Sequence, residues 1–227
     1  MTTSNQARAP QPFSVLLSPY AAFDGVVSKS RLWLLLLILG SSMTPAIAFN
    51  AHVKSDDAVT LQMKRSGTWQ KLDEGQRERV LKSMKVLGPV SALAKRLSFI
   101  FLVGTLCWVT LRGFSDAATF LTVLLAVTTA CVPLLLRDVL STLVFLFRDP
   151  TTLELEHPLR ASLGAFLPDD TNPLKVLLMR LDLFTIWVSG LIGMGVNRAS
   201  KTKSMLPWIV VVSLWALGTA LELFGTL

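Results

Sequence analysis

Charge is what this sequence has least of. Only 16% of its 227 residues are Asp, Glu, Lys or Arg, against 52% apolar residues and a mean hydropathy of +0.54, where a soluble domain carries about 25% charged residues. That shortage excludes an ordinary soluble domain of this length and makes a polytopic membrane protein the expected class. Cysteine is scarce too: Cys107 and Cys131 both fall inside apolar runs, which excludes a disulfide framework and leaves each as a small buried hydrophobe. Histidine supplies no metal set. His52 stands alone, and the run Glu154, Leu155, Glu156, His157 lies beside Pro158 with no second cluster to close a coordination sphere. Also missing are a Ser, His and Asp arrangement, paired carboxylates within one apolar run and a phosphate-binding loop, so no catalytic residue, metal or cofactor is expected and the chain does not read as an enzyme. Acid is the scarcer sign, and the net charge is +7. The basic residues lie between apolar runs without an aromatic-rich basic face, so nucleic acid is not an expected partner, while the lipid bilayer and its anionic headgroups are.

What is present is apolar sequence in helix-length runs, and the fold class expected is all-α: a polytopic transmembrane helix bundle of about five spans with an N-terminal amphipathic helix. Residues 1–30 make a short polar arm followed by that helix. Ser18 and Pro19 give it a cap and a first-turn proline, and Leu16, Tyr20, Phe23 and Val27 recur at helical spacing. It would lie on the membrane surface or pack as a cap on the bundle. Residues 31–227 form the membrane domain, with spans at about 32–49, 97–111, 117–136, 181–196 and 205–224. A first run of this length just crosses about 30 Å of hydrocarbon. It could also be a signal-peptide core with Ala46, Ile47 and Ala48 as its cleavage site, but 31 residues precede it and further spans follow.

Between the spans, residues 50–96 carry ten Lys or Arg against five Asp or Glu. Leu72, Val80, Leu81, Met84 and Leu87 are spaced there as on an amphipathic helix that leads toward the second span, where Lys95 and Arg96 would snorkel to the interface. Ser115 and Asp116 are placed to cap the third helix. Pro133 should kink or break it, and the nine residues from Val139 to Phe147 either continue that helix or form a re-entrant piece. Residues 149–180 read as a structured loop. Small residues four apart recur at Ala126 and Ala130, Ser189 and Gly193, and Ala216 and Ala220, the spacing that lets helices approach closely in lipid. Asp138, Asp182 and Glu222 are the acids near spans; intramembrane acids can mark an ion path, but the favoured reading of all three is as helix-end or interfacial residues.

Together these parts resemble the Yip1 domain family in its prokaryotic form. The residues that carry the resemblance are the opening SPYAAFDGV, the lead-in LDEGQRERVLKSMKVLG, the late proline Pro133 in AVTTACVPLLL, the loop HPLRASLGAFLP, and DLFTIW, in which Asp182, Leu183, Phe184 and Trp187 open the fourth span. The resemblance runs from about Phe13 to Leu227. It implies a five-helix, non-enzymatic membrane protein, multi-pass in a bacterial inner membrane, with the N-terminus in the cytoplasm. The basic residues count the other way, with seven on the N-terminal side and fifteen on the opposite one. The arm before the first span is short and the DLYGP-type motif of eukaryotic members is absent, so their small-GTPase role is not carried over. The expected function is a membrane scaffold or adaptor that assembles with itself or other membrane proteins, with a small-solute or ion transporter or channel as the alternative.

Overall fold

The computed structural model describes residues 12–19, 23, 32–51, 72–116, 118–147, 159, 178 and 181–226. Among these the chain is all-α, without a strand element. A 3-10 helix at Pro12–Leu16 precedes α1 (Leu32–Ser41), α2 (Thr44–Ala51), α3 (Glu74–Leu111), α4 (Phe120–Ala130), α5 (Val132–Phe147), α6 (Leu183–Ala199) and α7 (Leu206–Thr226). Of the expected amphipathic helix, Leu16 and Phe23 fall among the described residues and Phe23 is buried, whereas Tyr20 and Val27 lie outside them.

The first apolar run is not one helix. Pro45 has no N–H to offer the Ser41 carbonyl, and the Thr44 hydroxyl donates to it instead at 2.8 Å. The Ser42 hydroxyl turns back to the Leu39 carbonyl at 2.6 Å, and the chain bends between α1 and α2. Hydroxyls that bond locally to backbone carbonyls are what allows a helix to break at this point without stranding polar groups.

The second helix is longer than its apolar part. The capping box that starts α3 is reciprocal: the Asp73 carboxylate accepts from the Gln76 N–H at 2.7 Å, and Gln76 Oε1 accepts from the Asp73 N–H at 3.1 Å. From there α3 runs 38 residues without interruption, about 57 Å at the helical rise. Pro89 lies within it. A proline leaves the carbonyl four residues earlier without its helical donor; that carbonyl belongs to Lys85, and Asn50 near the end of α2 donates its side-chain amide to it at 2.7 Å. Proline in mid-helix is thus accommodated by a side chain from the neighbouring helix.

The third helix starts later than the Ser115 and Asp116 reading. Thr119, in extended backbone, is the cap, and its hydroxyl accepts from the Thr122 N–H at 3.2 Å. Ser115 instead donates to the Ser200 carbonyl at 2.6 Å, a distant partner that local spacing does not reveal. Nine consecutive residues of α4, from Thr122 to Ala130, are buried. Cys131 caps its end, and Pro133 sits in the first turn of α5, where a missing N–H costs nothing. Val139 to Phe147 continue the helix begun at Val132.

The helices gather into two units. One comprises Met1–Leu36, Ile100–Pro133 and Thr185–Leu227. Within it the Phe120 ring packs edge-on against Trp108 at 5.7 Å between centroids, and Arg112 lies over the Trp108 ring at 5.4 Å. Here α6 and α7 form a hairpin closed by a Schellman turn. Lys201 adopts φ 52°, its N–H bonds to the Arg198 carbonyl at 3.2 Å, and the Thr202 N–H bonds to the Asn197 carbonyl at 2.9 Å. The Asn197 side chain then links Thr202 and the Ser204 carbonyl. The other unit comprises Leu37–Phe99 and Leu134–Phe184 and holds the polar cluster described next.

Two stretches, Lys85–Leu111 and Phe120–Phe147, are long and apolar enough to cross a membrane; Trp33–Ala48 and Leu206–Leu221 are apolar but shorter. The count of long spans among the described residues is therefore two where the sequence suggests five.

Candidate functional site

One face of α3 is buried at Pro89 and then, from Arg96 on, at every fourth or third residue: Arg96, Ile100, Val103, Cys107 and Leu111. Five of these six are apolar or cysteine, and the other is an arginine. The same pattern recurs on α5, where Leu134, Asp138, Ser141 and Phe145 are buried, while Leu136, Val139, Leu140, Leu143, Leu146 and Phe147 are exposed. Helical periodicity therefore directs one cation and one anion inward, and lets large apolar side chains face outward. Arg96 is therefore turned inward, whereas Lys95 beside it is exposed. It is only 7% exposed, because a carboxylate waits for it inside.

Arg96 Nη2 donates to Asp138 Oδ1 at 3.1 Å and to Oδ2 at 3.2 Å. Ser41, the last residue of α1, donates its hydroxyl to Oδ2 at 2.8 Å, sharing its proton with the Ile38 carbonyl at 3.0 Å. Ser41 stands at the end of α1, immediately before the break at Ser42 and Met43. Around it, the Thr142 hydroxyl bonds to the Asp138 carbonyl at 2.7 Å and lies 3.0 Å from the Thr44 hydroxyl. Arg137 Nε stands 3.9 Å from Asp138 Oδ1, at the edge of ion-pair range and on a more exposed side chain. The cluster thus joins α1, α2, α3 and α5.

Energetically the pair is a lock. Two charges removed from water gain little over well-packed apolar residues, but removing one partner of a buried pair costs about 3–5 kcal/mol, since the other charge is left without compensation. Asp138 is engaged at both oxygens. Arg96 is not fully engaged: Nη1 is buried and has no hydrogen-bond partner among the described residues, a deficit of about 1–3 kcal/mol for a buried donor.

The residues singled out in the sequence are distributed differently. Asp182 accepts from the Phe184 N–H at 2.7 Å and so caps α6. After it, Leu183 is exposed, Phe184 buried and Trp187 half-buried. Among the small residues, Ala126, Ala130 and Gly193 are buried, Ser189 and Ala220 are half-buried, and Ala216 is exposed. A Cβ added at Gly193 would fall within the Trp208 ring, and one at Gly195 within the Phe23 ring, whereas Gly190 faces open space. Close packing along α6 therefore sits at Gly193 and Gly195. Pro133 marks the junction of α4 and α5. The side chain of Glu222, His52, the cluster around His157, and residues 157–168 of the loop HPLRASLGAFLP, apart from Leu159, lie outside the described residues.

No family model, curated protein or solved structure matches the chain. The Arg96, Asp138 and Ser41 cluster is then the most unusual chemistry in the described residues. Reading Arg96 as a flanking interfacial cation and Asp138 as a helix end misses it, because the two stand 42 residues apart. The signal available was periodicity: Arg96 is in register with Ile100, Val103 and Cys107, and Asp138 with Leu134 and Phe145.

Proposed function

We infer that this chain is a multi-pass integral membrane protein, similar in plan to the prokaryotic Yip1 domain proteins, that serves as a non-enzymatic scaffold or adaptor in a bacterial inner membrane. The observation that carries the reading is the reversed polarity of α3 and α5. Large apolar side chains such as Leu97, Phe101, Leu102, Val109, Val139, Leu143 and Leu146 are exposed, and the charged pair is inside. A soluble protein does not present so much contiguous apolar surface, whereas lipid and neighbouring membrane helices are its natural solvent. A locked ion pair supports a scaffold over an ion path: Asp138 already accepts from Arg96 and Ser41, and Asp182 serves as a helix cap. The glycine contacts of α6 with Trp208 and Phe23 supply the close helix packing that a rigid scaffold requires. Further copies or other membrane proteins are the expected partners, bound through the outward apolar faces.

Alkaline carbonate extraction followed by crosslinking in native membranes tests both parts. The chain should stay in the membrane pellet and be trapped as homo- or hetero-oligomers. Release into the supernatant would reject the membrane reading, and persistence as a monomer would reject the scaffold.

A further inference from the structure

Two turns are fastened together at one end of the unit that comprises Met1–Leu36, Ile100–Pro133 and Thr185–Leu227. The first follows α3 and the second joins α6 to α7, and the Ser115 hydroxyl of the first donates to the Ser200 carbonyl of the second at 2.6 Å. Apolar segments stop and start at their edges: Lys85–Leu111 ends just before Arg112, and Leu206–Leu221 begins just after Met205. A unit embedded in a bilayer therefore brings both turns to the depth of the headgroups. The two turns carry the same mixture of side chains. Arg112, Arg198, Lys201 and Lys203 are exposed, against one exposed acid, Asp116, and each turn adds a large apolar residue, Phe114 and Met205, at 72% and 70% exposed. Water solvates the cations but not Phe114 and Met205; an anionic lipid surface suits both, through its headgroups and its acyl boundary.

Lys201 is the most informative of the four cations. The Schellman turn holds it at φ 52°, a backbone that glycine adopts freely and lysine does not. The bonds that close the turn come from main chain and from the side chains of Asn197 and Thr202, so the lysine side chain is not what holds it. Among the described residues no carboxylate lies within ion-pair range of Lys201 or Lys203. We propose that this end of the unit, residues 112–116 and 198–205, is a docking surface for the anionic headgroup layer of a phospholipid leaflet, with Lys201 and Lys203 meeting the charge and Phe114 and Met205 entering the acyl boundary. This docking rests on the membrane reading above and adds to it a class of lipid and a place on the chain.

The full chain is reconstituted into phosphatidylcholine vesicles that contain a trace of either phosphatidylglycerol or phosphatidylcholine bearing a photoreactive headgroup. After illumination and digestion, the labelled peptides are quantified. Phosphatidylglycerol should label the peptides holding Phe114 and Met205 in excess over phosphatidylcholine. One cation near an anionic surface favours it by about five-fold, so Lys203→Gln should lower that excess about five-fold, and Lys201→Gly together with Lys203→Gln should bring the two lipids close to equal labelling. Arg79→Gln, the same change of charge at an exposed position near the other end of α3, should leave the excess unchanged. Because Lys201→Gly relieves the left-handed backbone, its thermal midpoint should not fall, and a lost preference is then not a loss of folding. Equal labelling by the two lipids in the unaltered chain, an excess that survives both lysine substitutions, or an equal drop with Arg79→Gln overturns the docking surface. Those results leave the membrane reading standing, since the chain would still float with the vesicles, whereas a chain that does not float fails both.

Discussion

Replacing Asn50 with Ala removes the amide that donates to the Lys85 carbonyl at 2.7 Å. A hydrogen bond of this kind contributes about 0.5–1.5 kcal/mol net. The contact is exposed, so water replaces part of it, and a loss of about 1 kcal/mol is the expected cost. That cost exists because of Pro89. Replacing Pro89 with Ala returns an N–H to the helix four residues beyond Lys85, and the Lys85 carbonyl regains a backbone donor. In the Pro89→Ala background, Asn50→Ala should therefore cost almost nothing, and the double-mutant coupling should be about 1 kcal/mol. The absolute stability of Pro89→Ala is not the readout, since the gain in helix propensity of up to about 3 kcal/mol is set against the lost packing of a buried ring. The assay is reversible unfolding of the detergent-solubilised chain in mixed micelles with increasing denaturing detergent, followed by far-ultraviolet circular dichroism, for the four proteins of the cycle. Equal costs for Asn50→Ala in both backgrounds, within about 0.3 kcal/mol, would refute the reasoning: Asn50 would then act elsewhere than at the carbonyl that Pro89 leaves.

The α6 glycines give a contrasting pair. Gly193→Ala should lower stability by about 1–3 kcal/mol through overpacking against Trp208, while Gly190→Ala, facing open space, should raise it by up to about 1 kcal/mol; thermal melts that rank the two the other way would contradict the packing described. Lys201, held at φ 52°, pays for a left-handed backbone that glycine adopts freely. Lys201→Gly should therefore raise the melting temperature, by the equivalent of about 0.5–1 kcal/mol, and an unchanged or lower value would show that the lysine side chain contributes more than its backbone costs.

The all-α class was legible because it rests on composition and run length. Where sequence reading stopped short, the missing information was a partner in another helix. The break in the first apolar run could have been read from Pro45, four residues after Ser41, together with the hydroxyls beside it; run length alone concealed it. α3 looked like a surface helix joined to a short span because its polar and apolar parts differ in composition, yet the Asp73 and Gln76 capping box placed its beginning and nothing local ends it before Leu111. The buried ion pair was the least accessible feature. Each charge taken alone fits an interface, and only the burial stripes of α3 and α5, laid beside each other, put both inside. Ser115 shows the same limit, for its partner at Ser200 is 85 residues away.

The bend between α1 and α2 has a consequence for the order of assembly. The hydroxyl bonds of Ser41, Ser42 and Thr44 to backbone carbonyls all reach three residues back. Their closure demands no long loop and no second helix, so the bend can form while α1 and α2 are the only part of the chain in place. Helices α3 and α5 arrive later in synthesis and meet a hydroxyl already positioned for Asp138. A segment that closes on itself can act in this way as a jig for the Ser41 and Asp138 contact, and a defect at Ser41 or Pro45 should slow maturation as well as weaken the finished protein.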